Sequence, residues 1–187
     1  MEDFNYFKYR WFYTSSDKLV IGGKNAEQNE EVLKRVIESG KKLIVMHTRS
    51  PGSPFSIILS EKYTASDLEE SAIFTACFSR AWREGKRREI VDIFSSKQLI
   101  KEIKMKKGTF GVMGKIRSKG VYLKLYLTFQ KDKFRAVPQK INEAISIVPG
   151  NIKKNEFSEL ISKKFNIKKE EVLNALPSGG FSICQDH

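Results

Sequence analysis

The stretch YRWFYTSSDKLVIGGKNAEQNE, which runs from Tyr9 to Glu30, decides the fold of this 187-residue chain. It opens with an aromatic-rich extended segment. Ser15 to Asp17 then predict a turn, because their short side chains bond to their own backbone. The apolar segment Leu19 to Gly22 follows, and from Asn25 onwards apolar residues recur at helical spacing. The stretch therefore predicts a strand, a turn, a second strand and a loop that leads into a helix.

Two longer helices are predicted from apolar periodicity and end signals. The first begins at Asn25, whose side chain is a suitable cap, and ends at Gly40. The second covers Ser66 to Arg83, because Ser66 and Glu69 have the spacing of a capping box. Its last turn is basic, which also suits the negative end of a helix dipole.

The segments between and after these helices predict strands. In chain order these strands cover residues 43–46, 55–59, 90–94, 108–114, 121–129, 134–137 and 145–148. Residues 97–107 fit either a strand or a helix, and Pro138 predicts the start of a short helix. The predicted fold class is α+β, with a single domain in which a mixed, mostly antiparallel sheet packs with helices.

Pro149 and Gly150 predict a boundary near residue 150. The main domain is expected to cover residues 1–150, and a small helical extension residues 151–187. Within this extension, one helix is expected to be capped by Asn155 and another to cover Lys169 to Leu176.

The charge of the chain is its most informative bulk property. It has 34 Lys and Arg residues against 22 Asp and Glu residues, which gives a net charge of +12. Such a surplus favours polyanionic partners through steering and counterion release. It also fits a plain lysine-rich surface, and charge alone does not separate RNA, DNA and anionic membranes.

Other function classes find little support in the sequence. Cys77 and Cys184 have no metal-ligand spacing and predict reduced thiols, so no metal and no cofactor is expected. The apolar runs are far shorter than the roughly 20 residues that cross a bilayer. Met1 to Asp3 are not followed by an apolar block, so no signal peptide is expected. We therefore expect a cytoplasmic protein without a membrane partner.

The candidate site combines cations, aromatic side chains and a rigid loop. Residues 47–54 form a loop stiffened by two prolines and a glycine, between two predicted buried strands. Arginine and aromatic side chains recognise RNA by stacking and by phosphate contacts. The candidate RNA-binding residues are Arg10, Trp11, Lys24, Asn25, Asn29, His47, Thr48, Arg49, Ser79, Arg80, Trp82, Arg83 and Lys115.

Several of these candidates have a second interpretation. Trp11 and Trp82 also fit a hydrophobic core, and Asn25 also fits a helix cap. The sequence Gly22-Gly23-Lys24 before a helix fits a phosphate cradle or a plain turn, and it does not match a nucleotide-binding motif. His47 lacks a recognisable catalytic partner, so catalysis by its loop is the weaker alternative.

Five segments in order resemble the NFACT-R family, the RNA-associated domain of the NFACT proteins of ribosome-associated quality control. The first is the opening stretch, in which Lys24 replaces an arginine common in the family. The other four are VMHTRSPGSP, AIFTACFSRAWREG, IVDIFSSKQLIK and KGTFGVMGK, and the resemblance covers about residues 6–130.

The resemblance implies a stand-alone, non-enzymatic RNA-binding protein. It implies tRNA or rRNA as the ligand, with links to the large ribosomal subunit and to tRNA modification. Tailing of stalled nascent chains is not transferred, because no NFACT-N domain, helix–hairpin–helix module or coiled coil is recognised. Two other functions stay open: an RNA-modifying or RNA-cleaving enzyme that uses the His47 loop, and a ribosome-associated adaptor.

Overall fold

The structure is a computed structural model that describes residues 5–184. The residues Met1 to Asp3, on which the expectation about a signal peptide rests, lie outside the described part. None of the helices between residues 5 and 184 is long and apolar enough to cross a membrane.

Within residues 5–184 the chain forms twelve strands and five α-helices. The strands are β1 (Arg10–Tyr13), β2 (Leu19–Gly22), β3 (Ile44–Thr48), β4 (Ser56–Ile58), β5 (Arg88–Ser95), β6 (Leu99–Ile100), β7 (Gly111–Val112), β8 (Arg117–Tyr122), β9 (Leu125–Gln130), β10 (Lys133–Val137), β11 (Ile145–Ile152) and β12 (Phe181–Cys184). The helices are α1 (Ala26–Glu38), α2 (Ala65–Cys77), α3 (Arg80–Arg83), α4 (Lys154–Phe165) and α5 (Lys169–Ala175). Short 3-10 turns cover Tyr6–Lys8 and Ser96–Gln98.

The main sheet has six strands in the order β1-β2-β4-β3-β5-β8, and all of its pairs are antiparallel. Its two faces are both buried, because alternating side chains of each strand enter different cores. Trp11, Ile21 and Val45 pack in the cluster that contains the apolar side of α1. Phe12, Val20 and Met46 pack in the cluster that contains α2. The predicted α+β class with a mostly antiparallel sheet is confirmed.

Helix α1 begins as predicted. The Asn25 side chain accepts a hydrogen bond from the Gln28 amide at 2.9 Å, which satisfies one of the unpaired donors of the first turn. Gly40 has a φ of +66° directly after the helix end, a conformation that glycine adopts without strain. The local signals of this helix were sufficient to predict both ends.

The second predicted helix is divided in two. Helix α2 begins at Ala65, since Thr64 and Asp67 form the capping box in place of Ser66 and Glu69. It ends at Cys77, and α3 starts anew because the Ser79 hydroxyl accepts from the Ala81 amide at 3.1 Å. Ser79 caps a new helix and thereby interrupts the preceding one. The prediction of a single helix to Arg83 was therefore wrong.

The predicted strand at residues 121–129 is also divided. It contains the end of β8 in the main sheet and most of β9 in a second sheet. Leu123 lies between them, buried, with its amide bonded to the Arg87 carbonyl at 3.0 Å. In the sequence, apolar residues recur at every second position from Val121 through Leu123 and Leu125 to Leu127, so the pattern continues through the break between the strands and conceals it.

The second sheet has the order β10-β9-β11-β12 and packs with α4 and α5. Strand β11 runs through Pro149 and Gly150 and pairs with β12, a strand that the sequence analysis missed. The short helix predicted to start at Pro138 is absent, since residues 138–144 form no helix. Lys153 rather than Asn155 occupies the cap position of α4. Fully buried residues after position 150 belong to the same cluster as α2: Phe157, Ile161, Val172, Leu176 and Phe181.

A glutamine joins the two sheets. The Gln130 side-chain amide accepts from the Tyr13 backbone amide and donates to the Tyr13 carbonyl, each at 2.8 Å. The side chain thus bonds both backbone groups of Tyr13 at the open edge of β1, as a neighbouring strand would do. The second sheet is thereby held against the strand that carries Arg10 and Trp11.

Candidate nucleic-acid interface

One open cavity of about 610 Å³ lies at one end of the main sheet. The antiparallel register brings the start of β1, the end of β2, the end of β3 and the start of β4 to this end, because Gly22 pairs with Arg10 on one side and Ser56 on the other. The lining includes the end of β3, most of the loop from Arg49 to Phe55, the start of α1 and the segment from Lys107 to Phe110.

The cavity is positively charged. Its lining contains Arg10, Lys24, Arg49 and Lys107, against a single carboxylate, Asp92. Cations that converge on a concave surface focus a field that attracts anions. Three of these four cations were candidates from the sequence, and Lys107 was not.

Arg49 is positioned by the neighbouring strands. Its guanidinium lies 3.3 Å from the Asp92 carboxylate and donates to the Ser118 hydroxyl at 2.7 Å. The Arg49 side chain remains 56% exposed. A half-exposed guanidinium with a fixed orientation has further N–H donors available for an incoming phosphate.

Arg80 lies beside the Pro-Gly loop without lining the cavity. Its amide donates to the Gly52 carbonyl at 2.9 Å. A Cβ atom added to Gly52 would lie 3.1 Å from Arg80 Nε, and Gly52 has a φ of +105°. Glycine at this position therefore allows the close contact, and the contact brings Arg80 to the edge of the loop.

The other two cationic candidates lie further from the cavity. Arg83 is exposed at the end of α3, where its backbone packs against Gly179. Lys115 is exposed and precedes Ile116, which lines the cavity. The structure therefore brings Arg10, Lys24 and Arg49 together in the lining of the cavity. Arg80 and Lys115 lie beside residues of this lining. Arg83 lies further away, at the end of α3.

The two tryptophans belong to the core, and their predicted role in stacking on RNA was wrong. Trp11 and Trp82 are each 1% exposed. The Trp82 indole donates to the Gly180 carbonyl at 2.9 Å. Enclosed rings cannot receive a base, so the second interpretation of these residues is the correct one.

Four polar candidates use their side chains inside the protein. The Asn29 amide oxygen accepts from the Phe55 amide at 3.2 Å, and the Thr48 hydroxyl donates to the Ser50 carbonyl at 2.6 Å. Ser79 and Asn25 cap helices. Thr48 and Ser79 are buried, so these two side chains shape the loops and present no group to RNA.

His47 is part of β3 and does not lie in the loop. Its ring packs against Phe55 with 4.5 Å between centroids, and its Nδ1 lies 2.6 Å from the Thr48 carbonyl. Burial lowers the pKa of His47, an effect that the Thr48 carbonyl and Asp92 partly oppose. A carbonyl oxygen can only accept, so Nδ1 donates to it, and in a neutral ring Nε2 is then an acceptor.

One wall of the cavity is fastened to α1 by a buried carboxylate. The Glu30 side chain accepts from Lys101 Nζ at 2.9 Å and from the Gly108 amide at 2.7 Å. These two donors hold the pKa of the Glu30 carboxyl at about 2. A Cβ at Gly108 would lie 2.8 Å from Ala26, which shows how closely this wall approaches the helix.

We expect Glu30→Gln to loosen this wall and to change the acid stability of the protein. A carboxyl whose pKa is lowered on folding stabilises the native state above its unfolded pKa, and this stabilisation is lost as pH falls towards the folded value. The window therefore extends from about 4.5 down to about 2. Thermal unfolding between pH 6 and pH 2 should show a smaller pH dependence in Glu30→Gln than in the wild type. Equal slopes would contradict this role.

The aromatic part of the cavity lining was not predicted from the sequence. Phe55, Phe78 and Phe110 line the cavity. Phe78 and Phe110 lie in AIFTACFSRAWREG and KGTFGVMGK, two of the motifs that carried the family resemblance. Phe55 and Phe110 are 7% and 8% exposed, and the Arg10 guanidinium lies over the Phe78 ring, so these rings support the wall of the cavity and present no open face to a base.

Residues 8–114 match the family described as the NFACT protein RNA binding domain, which is more than half of the chain. The chain belongs to the NFACT-R family. With the exception of Ile116, every residue that lines the cavity falls within the matched segment. The resemblance read from the five motifs is thereby confirmed.

Relatives of this NFACT-R chain carry names from ribosome quality control. It is 29% identical over 199 aligned residues to the archaeal Rqc2 homolog aRqcH of Methanocaldococcus jannaschii. The alignment covers 96% of this chain and 29% of that protein. It is 32% identical over 78 residues to the human ribosome quality control complex subunit NEMF, which covers 40% of this chain and 7% of NEMF. The chain thus spans less than a third of either relative.

A solved structure shares the fold. The C-terminal part of the fibronectin/fibrinogen-binding protein from Streptococcus suis superposes with a TM-score of 0.51 at 24% identity. The superposition covers 62% of the NFACT-R chain and 44% of the Streptococcus suis chain. At this identity the likeness shows a common fold and nothing about ligands.

Proposed function

We propose that this protein binds folded RNA, either tRNA or rRNA, and that it does so without catalysing a reaction. The observation that carries the proposal is the convergence of Arg10, Lys24, Arg49 and Lys107 on one cavity that has a single carboxylate. The family description supports RNA as the polyanion. Lysine residues spread evenly over the surface would not account for this arrangement.

The shape of the cavity also favours folded RNA. Its cations come from separate segments of the chain and line one concave surface. A folded RNA brings phosphates that are distant in sequence close together, so several of them can reach this surface at once. An unstructured RNA presents fewer phosphates to it.

The names of the relatives support a place for this protein in ribosome quality control. We propose that its RNA is part of the translation machinery, with the large ribosomal subunit as an expected partner and the cytoplasm as its location. A link to tRNA modification is a further proposal from the family resemblance. Because the chain spans 29% of the archaeal relative, the other activities of that protein are not carried over.

The experiment compares folded tRNA with an unstructured RNA of equal length. Binding of both is measured between 50 and 300 mM salt. Four phosphate contacts predict a slope of about −3 for the logarithm of the tRNA association constant against the logarithm of the salt concentration. We expect tighter binding of tRNA at every salt concentration. Equal binding of both RNAs, with a slope near zero, would contradict the proposal.

A separate assay addresses catalysis. His47 is the one histidine among the residues that line the cavity, and residues 5–184 contain no cluster of three or more His, Cys, Asp or Glu that could hold a metal. We expect tRNA incubated with the protein, with and without Mg²⁺, to yield an unchanged nucleoside profile by mass spectrometry. A product that disappears in His47→Ala would identify an enzyme instead.

A further inference from the structure

A second group of cations lies where the two sheets meet. Arg10 starts β1 of the main sheet, Arg135 lies in β10 of the second sheet, and Lys154 lies at the start of α4. Lys24 follows β2 and lines the same cavity as Arg10. Partial burial lowers the pKa of Lys24, and the charges of Arg10 and Arg135 lower it further. Arg135 and Lys154 lie outside residues 8–114, the segment that matches the family.

The two arginines are held by aromatic rings. The Arg10 guanidinium carbon lies 4.9 Å from the centroid of Phe78, and that of Arg135 lies 4.2 Å from the centroid of Trp11. The Nε atoms of both arginines are buried and have no hydrogen-bond partner. Stacking on a ring fixes the plane of a guanidinium and leaves its N–H edges available for an anion.

Within residues 5–184 no carboxylate neutralises this group. Arg10, Lys24, Arg135 and Lys154 take part in none of the ion pairs that the described residues form. Lys154 Nζ donates to the Leu176 carbonyl at 3.0 Å, which is a neutral partner. The Tyr6 phenol near Arg135 supplies no charge either, because burial raises its pKa to about 12.

Part of the charge of this group is withdrawn from water. Burial lowers the pKa of Arg10 and of Arg135 to about 10. Burial also lowers the pKa of Lys154 to about 8, with a further contribution from the Arg10 charge. Lys24 is exposed, but the other three cations are half-buried without a carboxylate partner, so the fold is expected to gain from a bound anion.

The position of Arg10 connects this group to the RNA cavity. Arg10 lines the large cavity together with Lys24. It also lines a small void beside Arg135, where α5 approaches. Arg10 therefore lies between the cavity, which Lys24 also lines, and the void that Arg135 lines, and a phosphate bound at Arg10 would be attracted by cations on both sides.

We propose that Arg10, Lys24, Arg135 and Lys154 form a phosphate-binding site at the junction of the two sheets, and that it holds one phosphate group of the bound RNA. This inference rests on the proposed function and adds a specific subsite to it. The same chemistry would accept free inorganic phosphate, so the test includes an arm for each source.

The first arm uses thermal unfolding of the full chain in sodium phosphate and in sodium chloride of equal ionic strength. At 10 mM phosphate and a Kd of about 1 mM, the midpoint should rise by about 3–6 °C over chloride. Arg135→Met keeps the length of the side chain and removes its charge. We expect this variant to unfold at a higher temperature than the wild type in chloride and to lose most of the phosphate response. Arg135→Lys should keep the response in part.

The second arm measures tRNA binding by the same proteins. We expect Arg135→Met to weaken binding about tenfold, in line with the loss of one charge-assisted hydrogen bond. Saturating tRNA should also abolish the phosphate response of the wild type. Lys62→Met is the matched control, because Lys62 is exposed beyond the end of β4, at the opposite end of the sheet. This control should match the wild type in both arms.

The outcomes separate the two proposals. If tRNA binds normally but phosphate stabilises no more than chloride does, and Arg135→Met binds tRNA like the wild type, the subsite is overturned and the RNA function stands. If phosphate stabilises the wild type but tRNA does not bind, the RNA function is overturned and the cations form a site for free phosphate. Loss of both effects in Arg135→Met supports the inference as stated.

Discussion

Trp82→Ala is expected to unfold the protein at a much lower temperature, whatever RNA it binds. Trp82 is 1% exposed and packs against Phe181, with 5.6 Å between ring centroids. Removal of a buried tryptophan costs about 3–5 kcal/mol. For a chain of this size the loss corresponds to a decrease of about 6–20 °C in the unfolding midpoint.

The control for this prediction is Trp82→Phe. It retains most of the packing and removes the hydrogen bond from the indole to the Gly180 carbonyl. That carbonyl also accepts from the Gly150 amide at 3.2 Å, so it keeps a partner. We expect a small decrease in the midpoint and unchanged RNA binding. Weak RNA binding by a stable Trp82→Phe protein would restore the stacking role that the structure argues against.

The second large effect is expected from reversing two charges, Arg49→Glu with Arg80→Glu. Each arginine that contacts a phosphate contributes about 1.5–3 kcal/mol, so the double variant should lose RNA affinity at least about 100-fold. The Arg49 side chain is 56% exposed, and its ion pair with Asp92 has little effect on stability. We therefore expect the unfolding midpoint to stay close to that of the wild type. Filter binding with tRNA and a thermal melt provide the two measurements.

A matched double variant distinguishes an effect of these two positions from an effect of the net charge of the protein. Lys41→Glu with Lys62→Glu makes the same change in net charge at the opposite end of the main sheet, where both side chains are exposed. It should lower RNA affinity only slightly, through the weaker long-range field. Equal losses in the two double variants would mean that RNA responds to net charge alone. Unchanged binding in the Arg49 and Arg80 variant would remove these residues from the interface.

The sequence predicted the parts of the fold that local signals determine. Strand Leu19–Gly22 and the Asn25 cap match the structure because turn residues, branched side chains and a capping amide act within a few positions. The division of residues 121–129 between two sheets could not be predicted, since apolar residues occur at every second position on both sides of Leu123. Tertiary packing alone distinguishes them.

Part of the site was also predictable from local signals. Arg10, Lys24 and Arg49 were found because they occur in recognisable motifs near strand ends. Arg135 and Lys154 are far from Arg10 in sequence, and Arg135 comes to line a void with Arg10 only when the second sheet docks on β1. The burial of Trp11 and Trp82 likewise follows from packing between distant segments, which a motif match does not reveal.

The central claim is that RNA occupies the cation-lined cavity, and hydrogen exchange with and without tRNA tests it most directly. We predict slower exchange on tRNA binding in residues 23–29, 47–55 and 107–112, which surround the cavity. Residues 59–64, at the opposite end of the main sheet, should exchange at the same rate in both states. Protection confined to residues 59–64 or to the exposed side of α4, with none around the cavity, would contradict the account.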